Sequence, residues 1–196
     1  MAAADDIILG YAKVWTAPTG TAFPAATLAY GSAWPSWTYF GDTLEPLSFG
    51  GDRAQFDVEI QQAITAVKTI ITKDERNFKT KMARHDVNML NQLLLGTLTT
   101  TAPGSGTPGY YTIDFGGKTI PNILAVGFEA LFQTEAGVQT PIRWMFYRGS
   151  VVQDGEIVYD KNGVAGVPVN FRTFVDTTQA TNKQVGRLQI VFSPGT

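Results

Sequence analysis

His85 is the sole histidine of the chain, and its neighbour Asp86 supplies the carboxylate that an acid–base dyad would need. Adjacent residues at a strand–helix junction point apart, however, and no serine lies within several positions to act as nucleophile. A solvated or capping histidine is the simpler reading. One imidazole also rules out a metal site built from several. Gly117-Lys118-Thr119 has the ending of a phosphate-binding loop, but the position where that loop opens on glycine is Thr112, and Pro121 stops a helix from starting behind it. Those residues read as a turn between strands. Asp57 and Glu59 share one strand face, while Asp154 and Glu156 straddle Gly155; neither set has calcium-loop spacing, and both read as exposed acidic surface. Trp15, Trp34, Trp37 and Trp144 would suit a sugar-stacking platform, although core and interface roles suit them better. The absence of cysteine removes thiolate metal sites, disulfides and cysteine nucleophiles together. The inventory argues for no enzyme and asks for no cofactor.

Composition sets the frame around these residues. At 196 residues the chain is expected to form a single domain, 1–196, long enough to bury roughly 70% of its unfolded surface. Fifteen basic against 17 acidic side chains give a net charge of −2, which disfavours tight binding of nucleic acid. The stretch Met1 to Asp6 is acidic where a signal peptide would be basic, and Ile7-Ile8-Leu9 is too short for its apolar region. No run reaches the roughly 20 apolar residues of a membrane helix, so no membrane anchor is expected. Twenty glycines and ten prolines beside short apolar alternations point to a mainly-β chain with one helix.

The central unit runs from Ala66 to Gly96. Val67 to Thr72 is dense in β-branched residues and predicts a strand; Lys73-Asp74-Glu75 predicts an irregular link. In the strand that follows, Phe78, Thr80 and Met82 share an apolar face opposite Asn77, Lys79 and Lys81. The period then changes. Val87, Leu90 and Leu94, with Met89 and Leu93 beside them, make one stripe on a helix over about 86–95, which Asp86 caps and Gly96 ends. Upstream, strands are expected at Gly10 to Trp15, at Trp37 to Phe40 and in the alternation of Phe56, Val58 and Ile60 with Asp57, Glu59 and Gln61. Gly50-Gly51-Asp52 predicts a turn within an extended loop, 42–56, and Ala17 to Pro35 a long loop. Downstream, 97–109 reads as a flexible loop, followed by strands around Tyr111 to Phe115, Leu124 to Phe132, Ile142 to Tyr147, Glu156 to Tyr159, Val167 to Val175 and Arg187 to Phe192. Glu135-Ala136-Gly137 reads as a hairpin tip and Asp160-Lys161-Asn162-Gly163 as a turn. Some nine strands and one helix predict a β-sandwich or barrel with a flanking helix.

Order and spacing of several loose motifs carry a resemblance over about half the chain. Tyr11-Ala12-Lys13-Val14-Trp15-Thr16-Ala17-Pro18-Thr19-Gly20-Thr21 with Pro24, then Trp37-Thr38-Tyr39-Phe40-Gly41 and Leu47-Ser48-Phe49, resemble the opening of major tail proteins of long-tailed, non-contractile bacteriophages. Thr69-Ile70-Ile71-Thr72, Phe78-Lys79-Thr80-Lys81-Met82 and Leu90-Asn91-Gln92-Leu93-Leu94-Leu95-Gly96 are similar to that family's strand, strand and helix. Phe40 stands where leucine is usual, and Arg84-His85-Asp86 where a glutamate often precedes the helix.

The resemblance implies a structural virion protein of the tail, assembled in the bacterial host cytoplasm. It implies hexameric rings stacked into a tube, with a tape-measure protein in the lumen, a terminator at one end, tail-tip proteins at the other and double-stranded DNA in transit without specific binding. Asp57, Glu59, Gln61, Asn77, Lys79 and Lys81 are the expected lumen-facing residues. Segments poor in core alternation but holding apolar residues are the expected inter-ring contacts, namely Ile7, Ile8 and Leu9 in an N-terminal arm, 1–9, and Leu44, Leu47 and Phe49 in the extended loop. Val87, Leu90 and Leu94 are expected to pack the helix on the sheet. A tail terminator, baseplate ring or capsid decoration protein could share the fold, and a carbohydrate-binding β-sandwich is the reading from another class.

Overall fold

Three strands are covered on both faces, and they organise the molecule. The computed structural model describes residues 7–58, 68–83, 86–133, 138–157 and 165–191, with the backbone alone at 7–10, 58, 73 and 132. In it β1 (Ile7–Pro18), β7 (Leu124–Gln133) and β8 (Gln139–Gln153) run antiparallel side by side. Their near-continuous apolar runs reflect burial from two sides. The remaining elements are β2 (Thr38–Asp42), β3 (Ser48–Val58), β4 (Lys68–Met82), α1 (Val87–Leu93), β5 (Thr97–Thr101), β6 (Tyr110–Asp114), β9 (Val167–Thr173) and β10 (Gly186–Ile190). One sheet has the order β2-β1-β7-β8-β9-β4-β3, with β10 also paired to β8, and β5 and β6 form a separate ribbon.

The large sheet curls until the end of β2 meets β4. Thr43 bridges to Met82, the Leu44 N–H donates to the Lys81 carbonyl at 2.6 Å, and the Ala83 N–H donates to the Asp42 carbonyl at 2.9 Å. Strands β2, β1, β7, β8, β9 and β4 therefore enclose one core, and the exposed edges of an open sheet are lost over that stretch. Inside lie Val14, Phe40, Phe78, Met82, Val126, Phe128, Phe146, Val169 and Phe171. Phe78 is its hub, with ring centroids 4.7 Å from Phe49, 4.8 Å from Phe128 and 4.7 Å from Phe146. The expected face of Phe78, Thr80 and Met82 is indeed the buried one.

The helix begins where the sequence indicates, the Asp86 carboxylate accepting the Asn88 N–H at 2.9 Å. Its end differs in detail. Leu95 takes the left-handed conformation (φ 53°), the Gly96 N–H reaches the Asn91 carbonyl at 3.0 Å, and a Cβ at Gly96 would lie against the Ile113 side chain and the Asp114 carbonyl. This is the six-to-one closure of a helix, with glycine required by the approach of β6. Met89 and Leu93 are the buried helix residues, where Val87, Leu90 and Leu94 were expected. Val87 opens the helix and Leu94 is its C-cap, so both sit at the rims and are only half-buried, as is Leu90, which packs against the core.

Five other expectations are corrected. The extended loop 42–56 is largely strand: Gly50, Gly51 and Asp52 pair with Asn77, Arg76 and Glu75 within β3, and Lys73 to Glu75 continue β4 with no break. Gly51 is there for close approach, since a Cβ would fall 2.6 Å from the Arg76 guanidinium and 2.9 Å from the Glu75 carbonyl. The loop 97–109 begins as β5, because its threonines pair in register with Tyr110 to Asp114. Ile7, Ile8 and Leu9 are not an arm, since their backbone pairs with Gln133, Phe132 and Leu131. Glu156 and Ile157 lie outside any strand. The predicted hairpin tip at Glu135 to Gly137, the turn at Asp160 to Gly163, Tyr159 and Phe192 fall outside the described residues.

Candidate assembly surfaces

The most exposed long element is the ribbon of β3 and β4. Its register places Phe49 opposite Phe78 and Arg53 opposite Asp74, then slips by one at Thr72, so that Gln55 meets Ile71, Phe56 meets Ile70 and Asp57 meets Thr69. Alternation puts Phe49, Arg53, Gln55 and Asp57 on the face of Phe78, and Gly50, Asp52, Ala54 and Phe56 on the other. Contacts agree: Arg53 pairs with Asp74 at 3.0 Å, and the Thr69 hydroxyl donates to Asp57 at 2.6 Å. Phe56 is 61% exposed, Ile70 42% and Ile71 52%, so the far half of the ribbon carries uncovered apolar side chains on both faces. Two strands alone are marginal in water, and such a ribbon needs a surface to lie on.

This geometry divides the expected lumen-facing residues. Asp57 is on one face of the ribbon and Asn77, Lys79 and Lys81 are on the other, because the strands are paired with Phe49 opposite Phe78. Glu59 and Gln61 fall outside the described residues. Lys79 meets Asp154 at 2.8 Å and Lys81 meets Glu45 at 3.1 Å, each a partly exposed pair within the subunit. Among the expected inter-ring residues, Leu47 packs against the core, Leu44 is half-buried, and Phe49 rests on Phe78 and, at 5.0 Å, on Trp144. Leu47 and Phe49 thus belong in part to the subunit's own packing, because β3 brings them over the barrel.

The loop between β1 and β2 covers the outer faces of β1, β7 and β8. Trp34 stacks on Trp15 (5.6 Å, 9°), meets Trp37 edge-on (5.2 Å, 77°) and lies over Gly127, where any Cβ would enter its ring. Beneath it, Glu129 and Arg143, directly opposite in the β7–β8 register, form an ion pair at 2.9 Å with both side chains fully buried. Arg143 also donates to the carbonyls of Ala25 and Leu28, and Glu129 accepts the Gly31 N–H at 2.9 Å. The polar groups that the pair does not itself satisfy are therefore answered by the loop it holds and, at 3.5 Å, by the Gln189 side chain of β10. Sequence reasoning overlooked this pair; its trace is a carboxylate inside the apolar run of β7 and a guanidinium between Ile142 and Trp144.

The chemistry-bearing motifs take structural places. Asp86 caps the helix, Lys118 donates to Asn122 at 2.6 Å, and Trp15, Trp34 and Trp37 are buried rather than displayed to a sugar. The Thr178 hydroxyl bond holds the Asp176 carboxyl below the usual carboxylate range, against the opposing effect of desolvation, and fixes the loop before β10. Among the described residues there is no cluster of His, Asp and Glu fit to hold a metal ion and no helix long and apolar enough to cross a membrane.

The described residues thus combine a closed β-barrel core, a loop clamped on its outer face and a β3–β4 ribbon whose far half carries exposed apolar side chains. The family model for phage tail tube proteins matches residues 1–184, and the chain belongs to that family. It is a structural component of the virion tail, and membership implies self-assembly into a tube. No curated protein matches the chain.

Proposed function

We propose that the chain forms rings of six subunits that stack head to tail, and that the tube conducts double-stranded DNA to the host cell. The supporting observation is the β3–β4 ribbon, whose Phe56, Ile70 and Ile71 are uncovered on both faces of a two-stranded element. In a ring each ribbon lies against the neighbouring subunit, and a head-to-tail contact closes into a ring or extends without limit according to its rotation. Lys79 and Lys81, neutralised by Asp154 and Glu45, give a wall that DNA passes rather than binds; the net charge of −2 suits the same role. A tape-measure protein in the lumen, a terminator and tip proteins complete the assembly in this reading.

The double substitution Phe56→Asp with Ile70→Asp tests it. Both side chains are exposed in the subunit but face each other across the ribbon, so the paired carboxylates should cost the fold about 1–2 kcal/mol without unfolding it, while sedimentation should show loss of large assemblies at concentrations where the unaltered protein forms them. An altered protein that still assembles normally would remove the ribbon from the interface.

A further inference from the structure

Between the ribbon and β10 lies a cleft of about 590 Å³. Beyond its apolar floor, which includes Phe49, Ile71, Trp144 and Leu188, its lining carries the Arg76–Asp74 ion pair, closed at 2.9 Å, and Lys183, an excess of one positive charge on this side, since the Arg187 guanidinium lies over the Phe23 ring on the other face of β10. β10 pairs only with β8, and β4 pairs with β9 only from Asn77 onward, so two strand edges border the cleft without partners among the described strands. Its chemistry asks for an aromatic or aliphatic group next to a carboxylate. The β5–β6 ribbon and the segment that leaves it offer that combination: Tyr111 in β6 is 63% exposed, Phe115 just after it 67% and Ile120 69%, and Asp114 lies beside Phe115. Asp114 and Lys118 are the only charged residues from Thr97 to Asn122, and Lys118 is held by Asn122.

Within its own subunit this ribbon sits by the helix end, where Ile113 fills the space at Gly96, and none of its residues lines the cleft. We infer that the β5–β6 ribbon of one copy docks in the β4–β10 cleft of another, Phe115 entering the apolar floor and Asp114 meeting Lys183. Charge complementarity selects this occupant, and the two surfaces differ, so the contact is head to tail and propagates. The inference rests on the tube reading and names one joint within it.

The chain has no cysteine, which makes crosslinking clean. Assembled protein carrying Phe115→Cys and Leu188→Cys should give a ladder of disulfide-linked oligomers on mild oxidation, and either single variant should give no ladder. Asp114→Lys should raise the concentration needed for assembly about tenfold, equivalent to about 1.4 kcal/mol, and Lys183→Asp in that background should restore much of the loss. Tubes that form without a ladder, and with an unchanged concentration dependence in Asp114→Lys, would overturn this contact while leaving the tube reading standing. An unaltered protein that never associates would overturn both.

Discussion

Replacing Arg143 with methionine is expected to cost the subunit about 3–5 kcal/mol, because it strands the Glu129 carboxylate, fully buried, without its counter-charge. Both side chains are fully buried, and the guanidinium also answers the carbonyls of Ala25 and Leu28. The companion variant, Glu129→Leu with Arg143→Met, should lie between the unaltered protein and the single substitution. It removes the stranded charge but still leaves two carbonyls and the Gly31 N–H without their partners, each worth about 1–3 kcal/mol where buried. Urea unfolding of the unassembled subunit measures both. A double variant as unstable as Arg143→Met would mean that the loop bonds, rather than the ion pair, dominate. With a typical domain holding about 5–15 kcal/mol in total, the single substitution alone should place folding at risk.

The second large effect is expected at Trp34. It is 2% exposed and stands between Trp15, Trp37 and the bare backbone of Gly127. Trp34→Ala empties that space and should cost about 3–5 kcal/mol. Gly127→Ala attacks the same contact from below: its methyl group cannot coexist with the ring, so the indole must shift, at about 1–3 kcal/mol. The two should share a signature, a red shift in tryptophan emission as the loop between β1 and β2 opens over the sheet. If Gly127→Ala left both emission and stability unchanged, the Trp34 ring would not rest on Gly127.

These two sites show where sequence reading reached its limit. The alternations in β7 and β8, the apolar face of Phe78, Thr80 and Met82, and the Asp86 cap are legible because their signals are local, repeating every two residues or fixed by one side chain at a helix start. Gly50-Gly51-Asp52 misleads because glycine has two uses. A turn needs its freedom of φ, but here it admits the Arg76 side chain to a continuous ribbon, and only the partner strand reveals that. The threonines from Thr97 hide a strand in polar composition. The Glu129–Arg143 pair has no local period at all. It joins residues on adjacent strands to loop atoms about a hundred positions away in the chain, and the trace left in sequence is a lone charge in each of two apolar runs.

For the candidate surfaces the division is similar. Apolar residues in 42–56 are expected to be covered by the next ring, but Leu47 and Phe49 receive part of their cover from their own barrel once β3 is in register with β4. The demand therefore moves outward along the ribbon to Phe56, Ile70 and Ile71.

Electron cryo-microscopy of the purified, concentrated protein tests the tube reading most directly. The expected image is a hollow tube of stacked six-fold rings in which each β3–β4 ribbon lies between neighbouring subunits, with Phe56 and Ile70 covered. Isolated subunits at every concentration, or tubes in which those two side chains face open solvent, would contradict it.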